Sequence, residues 1–285
     1  MEEYEVIEKL GRGHFGQVQK VKKVSSGQIM ALKILDDFDT AEREIEILRV
    51  LNSNGCHPLI LCYYGAIEIK NSIGILTELV EGYTLSQMTE YGRTITDPQM
   101  LKLLGYIFAG LAYIHSKGIV HNDISPSNII FGNQGLKIID YGLSCFYRDD
   151  RYKCEPEKTT NNLFELETDE ISYNMDLYPK IDVMNTGIMF WRLITPGVGV
   201  TKHHYFIGMT SSYQEFITNL AKAKNRLSYY TLHSSAILSE LQDSVDKYKM
   251  DTKSEIVEQI IRMATRVDPY ARPSASEIVD YIKTY

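Results

Sequence analysis

The sequence predicts an α+β fold in two lobes, a small β-rich lobe with one helix followed by a larger, mainly helical lobe. Three observations predict it. Short apolar runs bounded by turns fill most of the first eighty residues. A single amphipathic helical stretch interrupts them. After Glu81-Gly82 the apolar spacing becomes helical and stays so. The boundary falls near Val80 to Tyr83, which gives lobes of about 1–80 and 81–285 in a single domain, 1–285. A cleft between two lobes is a natural ligand site.

The elements follow in order. Glu5 to Leu10 and Gln17 to Val24 have strand length, and the second run leads into the turn Ser25-Ser26-Gly27-Gln28. Ile29 to Leu35 is a compact apolar strand. Asp39-Thr40 offers helix-capping chemistry for Ala41 to Leu51. Two more apolar runs cover Leu59 to Ile67 and Ser72 to Leu79. Thr96-Asp97-Pro98 then opens a helix, with Pro in the first turn. Leu101, Leu104, Phe108, Leu111 and Ala112 keep helical spacing up to the stop at Lys117-Gly118. Further helices are expected over Ile181 to Ile194, parts of Tyr213 to Met250, Glu255 to Arg266, and Ser276 to Lys283.

Composition narrows the class. Of 285 residues, 44% are hydrophobic and 24% charged, so a sizeable core is affordable in sequence terms. A net charge of −7 argues against a nucleic-acid or anionic-membrane partner. Cys56, Cys62, Cys145 and Cys154 form no CxxC pair and no metal-ligand spacing, which points to a reducing compartment. The N-terminus is acidic and lacks a signal-peptide pattern, and no run approaches the ~20 apolar residues of a membrane span. The expectation is an intracellular, cytoplasmic protein.

Four features carry chemistry. Gly11-Arg12-Gly13-His14-Phe15-Gly16-Gln17-Val18 sits between two strands, not before a helix, so it is not a dinucleotide-binding turn. Glycines there let backbone N–H groups approach phosphate oxygens, although an ordinary glycine-rich hairpin has the same composition. Lys33 is a charge inside the apolar strand Met30-Ala31-Leu32-Lys33-Ile34. It reads either as a surface lysine on an edge strand or as a fixed cation for phosphates. On a helical wheel Ala41, Ile45, Leu48 and Leu51 form the apolar stripe, and Glu44 falls inside it. A carboxylate there is costly unless paired, and Lys33 is its expected partner. Glu42 and Glu46 read as a solvated face.

The fourth feature is His121-Asn122-Asp123-Ile124-Ser125-Pro126-Ser127-Asn128, followed by Ile138-Ile139-Asp140-Tyr141-Gly142. Two short strands, Ile129 to Phe131 and Leu136 to Ile139, flank Gly132-Asn133-Gln134-Gly135. Folding that hairpin brings Asn128 and Asp140 together at its open end, where two oxygens suit Mg²⁺. Asp123, five residues before Asn128, can face an incoming hydroxyl. Each of these residues alone is an ordinary turn former.

Taken together these motifs resemble eukaryotic protein kinases over nearly the whole chain. The resemblance includes Met30-Ala31-Leu32-Lys33 for V-A-I-K, and Asp182-Val183-Met184-Asn185-Thr186-Gly187 for D-V-W-S-x-G. It ends with Asp268-Pro269-Tyr270-Ala271-Arg272-Pro273-Ser274-Ala275 for D-P-x-x-R-P-S-A. It implies an ATP- and Mg²⁺-dependent kinase acting on a protein hydroxyl, of the Ser/Thr type. By position, Lys33 would bind α- and β-phosphates and pair with Glu44. Asp123 would accept the hydroxyl proton, and Asn128 and Asp140 would hold magnesium. The glycine loop (Gly11, Gly13, Phe15, Gly16) would cover the phosphates. Leu10, Val18 and Ala31 would cover the adenine, with Ile130 beneath. Thr77 would guard the back of the pocket, and Glu78 and Val80 would offer backbone hydrogen bonds.

Three departures stand out. Asn122 replaces the Arg of H-R-D that meets a phosphorylated activation loop, which implies independence from that phosphate. Ser125 replaces the catalytic-loop lysine, and no basic residue lies between Asp123 and Asn128. Losing such a cation implies slow turnover or a cation from elsewhere. Leu143 to Asp169 lacks a G-T-P-x-Y-x-A-P-E, with Thr168-Asp169-Glu170 at the A-P-E position and Glu170 a partner for Arg272. Thr159, Thr160 and Thr168 are positional autophosphorylation candidates. Two competing readings remain open. His121-Asn122-Asp123 with Asn128 is also similar to choline and aminoglycoside kinases, and the missing lysine fits an ATP-binding pseudokinase scaffold.

Overall fold

The computed structural model describes residues 3–13, 16–92, 95–154, 175–194, 250–266 and 268–285. Five antiparallel strands form the first sheet: β1 (Tyr4–Gly13), β2 (Gly16–Lys23), β3 (Ile29–Leu35), β4 (Tyr63–Ile69) and β5 (Ser72–Glu78). Their order is β1-β2-β3-β5-β4. The register sets Val18 opposite Lys33 and Ala31 opposite Thr77, so these residues lie on three adjacent strands. The start of β2 lies close against β3, where a Cβ on Gly16 would strike the Ile34 carbonyl. Only glycine permits that approach.

Helix α1 (Phe38–Leu51) follows β3. It starts earlier than Asp39-Thr40 capping would give. The Asp37 carboxylate accepts from the Asp39 amide at 3.2 Å and from the Thr40 hydroxyl at 2.6 Å, so Asp37 is the cap. Ala41, Ile45, Ile47, Leu48 and Leu51 are buried against Leu35 and Ile75. Each fully buried Ile or Leu contributes roughly 1.5–3 kcal/mol. That stripe outweighs the cost of the one acid, Glu44, buried among it.

The apolar run Leu59 to Ile67 divides into two parts. Only its second part enters β4. Leu59 instead accepts from the Ile138 amide at 2.8 Å, and Ile60 bridges Ile138, so this segment ties the sheet to the rest of the chain.

Past the first sheet, β6 (Gly82–Thr84) pairs with β8 (Ile129–Gly132), which pairs with β9 (Gly135–Ile138). A Cβ on Gly82 would strike the Phe131 carbonyl, so the chain crosses there on a glycine. Helix α2 (Leu85–Glu90) carries a capping box between Thr84 and Gln87. Helix α3 (Asp97–Ser116) is capped by Thr96, with Pro98 in its first turn. A two-stranded sheet pairs β7 (Ile119–Val120) with β10 (Cys145–Phe146). Helices α4 (Pro179–Ile194), α5 (Glu255–Ala264) and α6 (Ala275–Ile282) complete the described α-helices. Helix α3 packs on α6, and α4 on α5. Phe108, Val183, Trp191, Ile260 and Ile278 are buried in the shared core. The chain thus has a five-stranded sheet with one helix and then a mainly helical part.

The expected helix within Tyr213 to Met250 lies outside the described residues up to 249. The positions Thr159, Thr160, Thr168, Asp169 and Glu170 also lie outside them. The four cysteines, for which no pairing was expected from the spacing, lie in two disulfides, Cys56 with Cys62 and Cys145 with Cys154. The sequence spacing hides this. Each pair is brought together by a reversal of the chain that no CxxC pattern announces. Among the described residues no helix is long and apolar enough to cross a membrane.

Candidate active site

Lys33 lies in mid-β3, where the strand's alternation turns its side chain away from the buried Leu32. Its Nζ donates to both carboxylate oxygens of Glu44, at 2.9 and 2.8 Å. It also donates to Asp140 Oδ1 at 2.8 Å. Burial works against the Lys33 charge, but Glu44 and then Asp140 outweigh it and raise its pKa above the ordinary lysine value. Burial pushes the Glu44 carboxyl above its ordinary value, against the pull of Lys33, and Asp140 adds to the rise. For Asp140 burial opposes ionisation too, yet Lys33 prevails and holds its carboxyl below the ordinary value. Shifts of opposite sign on the two acids fit one ammonium shared by two carboxylates. We take all three as ionised at neutral pH, because Lys33 makes three short charge-assisted bonds.

The second group is the loop before β8. Asn128 Nδ2 donates to the Asp123 carboxylate at 2.8 Å and to the Asp123 carbonyl at 2.8 Å. The Asn128 amide donates to Ser125 O at 3.0 Å, which closes a single tight turn. The Ile139 amide donates to Asn128 O at 3.0 Å, and Ile129 lies opposite Ile138. The β8–β9 hairpin therefore sets Asn128 beside the residue preceding Asp140. Asp140 itself adopts φ 64° and Asn122 φ 65°. Asn and Asp tolerate this left-handed region better than most side chains.

Residues that sequence reasoning gave no role hold this loop. Asp182, in the first turn of α4, is fully buried. It accepts from the amides of His121 and Asn122 and from His115 Nε2, each at 2.8 Å. The helix N-terminus favours its negative charge. The Asp123 amide donates to His121 Nδ1 at 3.2 Å, and His121 Nε2 meets Ile139 O at 3.1 Å. The signal for Asp182 was a lone acid in an apolar helical run, the same signal that exposed Glu44. Arg43, off the α1 stripe, donates to the Gly142 carbonyl and so ties α1 to Asp140-Tyr141-Gly142. Glu46 is not simply solvated, since it pairs with Arg151 at 2.9 Å.

The adenine-side positions are dispersed around these two groups. Leu10 is exposed near the end of β1, and Val18, Ala31, Val80 and Ile130 are half-buried. Gly11 and Gly13 lie in β1, opposite Val18 and Gly16 of β2, while Phe15 is outside the described residues. Thr77 is buried in β5, and its hydroxyl meets the Glu78 carbonyl at 3.2 Å. The Glu78 amide is already used by Cys62 O at 2.9 Å. Its buried carboxylate accepts from the Cys62 amide and pairs with Lys137, both at 2.7 Å. Lys137 was not singled out from the sequence, because β9 is too short for one charge to stand out. Arg272 is fully buried and donates to the carbonyls of Arg266 and Lys180, each at 2.8 Å.

Residues 4–282 match the protein kinase domain. Myosin light chain kinase 3 of Danio rerio is 28% identical over 91% of this chain and 39% of its own length. The serine/threonine-protein kinase pakH of Dictyostelium discoideum is 31% identical over 65% of this chain and 36% of its own. Serine/threonine-protein kinase SSK22 of Saccharomyces cerevisiae is 33% identical over 47% of this chain and 11% of its own. The chain thus spans well under half the length of these relatives. With the matched family model covering nearly all of it, the chain belongs to the protein kinase domain family. Two of these relatives, pakH and SSK22, are named as serine/threonine-protein kinases.

Proposed function

We propose that this chain is a catalytic domain, residues 1–285 with lobes of about 1–80 and 81–285. It would transfer the γ-phosphoryl group of ATP to a serine or threonine hydroxyl of a protein. One observation carries the reading: Lys33, fixed by Glu44 and Asp140, and Asp123, fixed by Asn128, are joined through one hairpin. Phosphoryl transfer needs little covalent help from the protein, and positioning with charge stabilisation supplies most of the rate.

The residues fit the groups that this activity requires. The side chains of Lys33 and Asp140 are 17% and 31% exposed, so both reach solvent and can meet a ligand. Among the described residues no cluster of three or more His, Cys, Asp or Glu could hold a metal by itself. A site of one carboxylate and one amide suits magnesium, which takes few protein oxygens and completes its shell with phosphates and water. Asn128 and Asp140 would hold it, and it would neutralise phosphate charge. Lys33 would meet the α- and β-phosphates. The backbone of Gly11, Gly13 and Gly16 would offer amides, and Phe15 would cover the phosphates with them. Leu10, Val18, Ala31 and Ile130 would enclose the adenine, Thr77 would limit its depth, and Glu78 (by its carbonyl) and Val80 would bond its edge.

Asp123 would orient the acceptor hydroxyl and take its proton. Asn128 holds that carboxylate, and the amide of Asp123 is itself held by His121. With Asn122 donating to Leu143 O at 3.3 Å, the catalytic loop already meets the segment after Asp140 without a phosphate. Dependence on ATP and magnesium is in keeping with an intracellular site of action. The test is labelled ATP with magnesium and generic protein acceptors, followed by phosphoamino-acid analysis. Label on serine or threonine is expected. Consumption of ATP only with choline or an aminoglycoside, or ATP binding without transfer, would overturn the reading.

A further inference from the structure

The segment after Asp140-Tyr141-Gly142 carries a device that the kinase reading does not use. Cys145 lies in β10, opposite Val120 of β7, one residue before the start of the catalytic loop at His121. From Phe146 the chain turns out and returns. The Phe146 amide donates to Tyr152 O and the Cys154 amide to Phe146 O, each at 3.1 Å. This return sets Cys154 beside Cys145 with their Cα atoms 4.9 Å apart, and the two sulfurs are bonded. That separation is ordinary for a disulfide. Both cysteines are buried, in a cluster with Val120, Tyr147, Leu177 and Tyr178.

The loop so closed, residues 146–153, reaches α1. Arg151 Nη1 lies 2.9 Å from Glu46 Oε1, two residues from Glu44 on the same helix. Its own loop orients that guanidinium, since Asp149 accepts from it at 2.9 Å and the Phe146 ring lies 5.9 Å away. Helix α1 is thus held at its inner face by Lys33 on Glu44 and at another face by Arg151 on Glu46. A covalent closure at Cys145–Cys154 limits the conformations open to Arg151 in the native loop, and with them the freedom of α1.

We infer that Cys145 and Cys154 form a thiol–disulfide modification site, and that closing it strengthens the hold of loop 146–153 on α1, favouring the Lys33–Glu44 pair. The inference rests on the kinase reading for its effect on rate, but not for its effect on α1. The reagent is a small disulfide such as glutathione disulfide. One cysteine thiolate attacks a sulfur of the reagent, forming a mixed disulfide and releasing one glutathione thiolate. The second cysteine thiolate attacks the protein sulfur of that mixed disulfide, forming Cys145–Cys154 and expelling the second glutathione. Two protein thiols are oxidised, one small disulfide is reduced, and the two thiol protons end on the released thiols.

The test uses the full chain carrying Cys56→Ser and Cys62→Ser, so that Cys145–Cys154 is the sole disulfide. It is prepared oxidised with glutathione disulfide and reduced with dithiothreitol, and mass spectrometry of linked peptides confirms each state. Hydrogen exchange over residues 38–51 and the rate of phosphoryl transfer are then compared. Exchange in α1 is expected to be slower in the oxidised form. A partly exposed ion pair such as Arg151–Glu46 supports a change of at most about fivefold in kcat/KM. Arg151→Ala should abolish the difference between the two states. Equal α1 exchange in the oxidised and reduced forms would overturn the inference, as would an undiminished difference in Arg151→Ala. If no transfer occurs in either state while α1 exchange still responds, the kinase reading fails and the switch stands. The unsubstituted chain, taken through the same two states, serves if the serine variants do not fold, with Cys145→Ala/Cys154→Ala as the variant that should not respond.

Discussion

Replacing Lys33 by Met removes the one cation shared by Glu44 and Asp140. The Lys33, Glu44 and Asp140 side chains are 17%, 4% and 31% exposed, so the Lys33–Glu44 contact is a buried pair and the Asp140 contact a partly wet one. Breaking a buried pair from one side costs about 3–5 kcal/mol, because the other charge is left uncompensated. Burial already raises the Glu44 pKa, so Glu44 can take up a proton and evade part of that cost. The expected loss for Lys33→Met is therefore near the low end, about 3 kcal/mol. For a chain of this size that is about 5 °C in the thermal midpoint. Adding Glu44→Leu removes the stranded acid and extends the stripe of Ala41, Ile45, Leu48 and Leu51. The double variant should regain half or more of the lost stability while remaining inactive. Thermal unfolding and a transfer assay on the two variants make the comparison. A double variant no more stable than Lys33→Met would refute the argument that the burial of Glu44 depends on its pairing with Lys33.

Three further outcomes are expected. Asp182→Asn keeps shape but leaves one oxygen to accept what two now accept from His121, Asn122 and His115. Hydrogen bonds to a charged group contribute roughly 1.5–3 kcal/mol, so a melt should show a loss in that range, and kinetics a fall in kcat larger than any change in the KM for ATP. Ser125→Lys should raise kcat by roughly tenfold or more by supplying a cation near the transferring group, and an unchanged rate would mean another group already does so. The Asp140 pKa is held below its ordinary 3.8, so its contribution to stability is present above pH 3.8 and is lost as pH falls through the folded-state value. The thermal midpoint of Asp140→Asn should accordingly lack that part of the acid-side decline, and an identical decline in both proteins would contradict the shift.

Much of the fold is legible because its elements are long and periodic. The strands over Ile29–Leu35 and Ser72–Glu78 and the long helix ending at Ser116 announce themselves by spacing and by capping residues. What escapes is short or nonlocal. β7 and β10 have two residues each and α2 has six, too few for any period to register. The start of α1 shifts because Asp37, Asp39 and Thr40 are all competent caps, and hydrogen bonding among them decides. In the site, Glu44 is legible because an acid inside an apolar stripe demands a partner. Arg43, Arg151 and Lys137 are not, since each reaches a partner at least 59 residues away through the fold: Gly142, Glu46 and Glu78. The disulfides hide for the same reason, as reversals of the chain at 56–62 and 145–154 leave no mark in the spacing.

The central claim is that Asp123, held by Asn128, activates a protein hydroxyl toward ATP. Its most direct test is a single-turnover measurement with labelled ATP, magnesium and a serine/threonine acceptor protein, comparing the unsubstituted chain with Asp123→Asn. Loss of a positioned general base predicts a fall of about 10²–10⁴ in the transfer rate, with ATP affinity little changed. Transfer by Asp123→Asn at the unsubstituted rate would contradict the account.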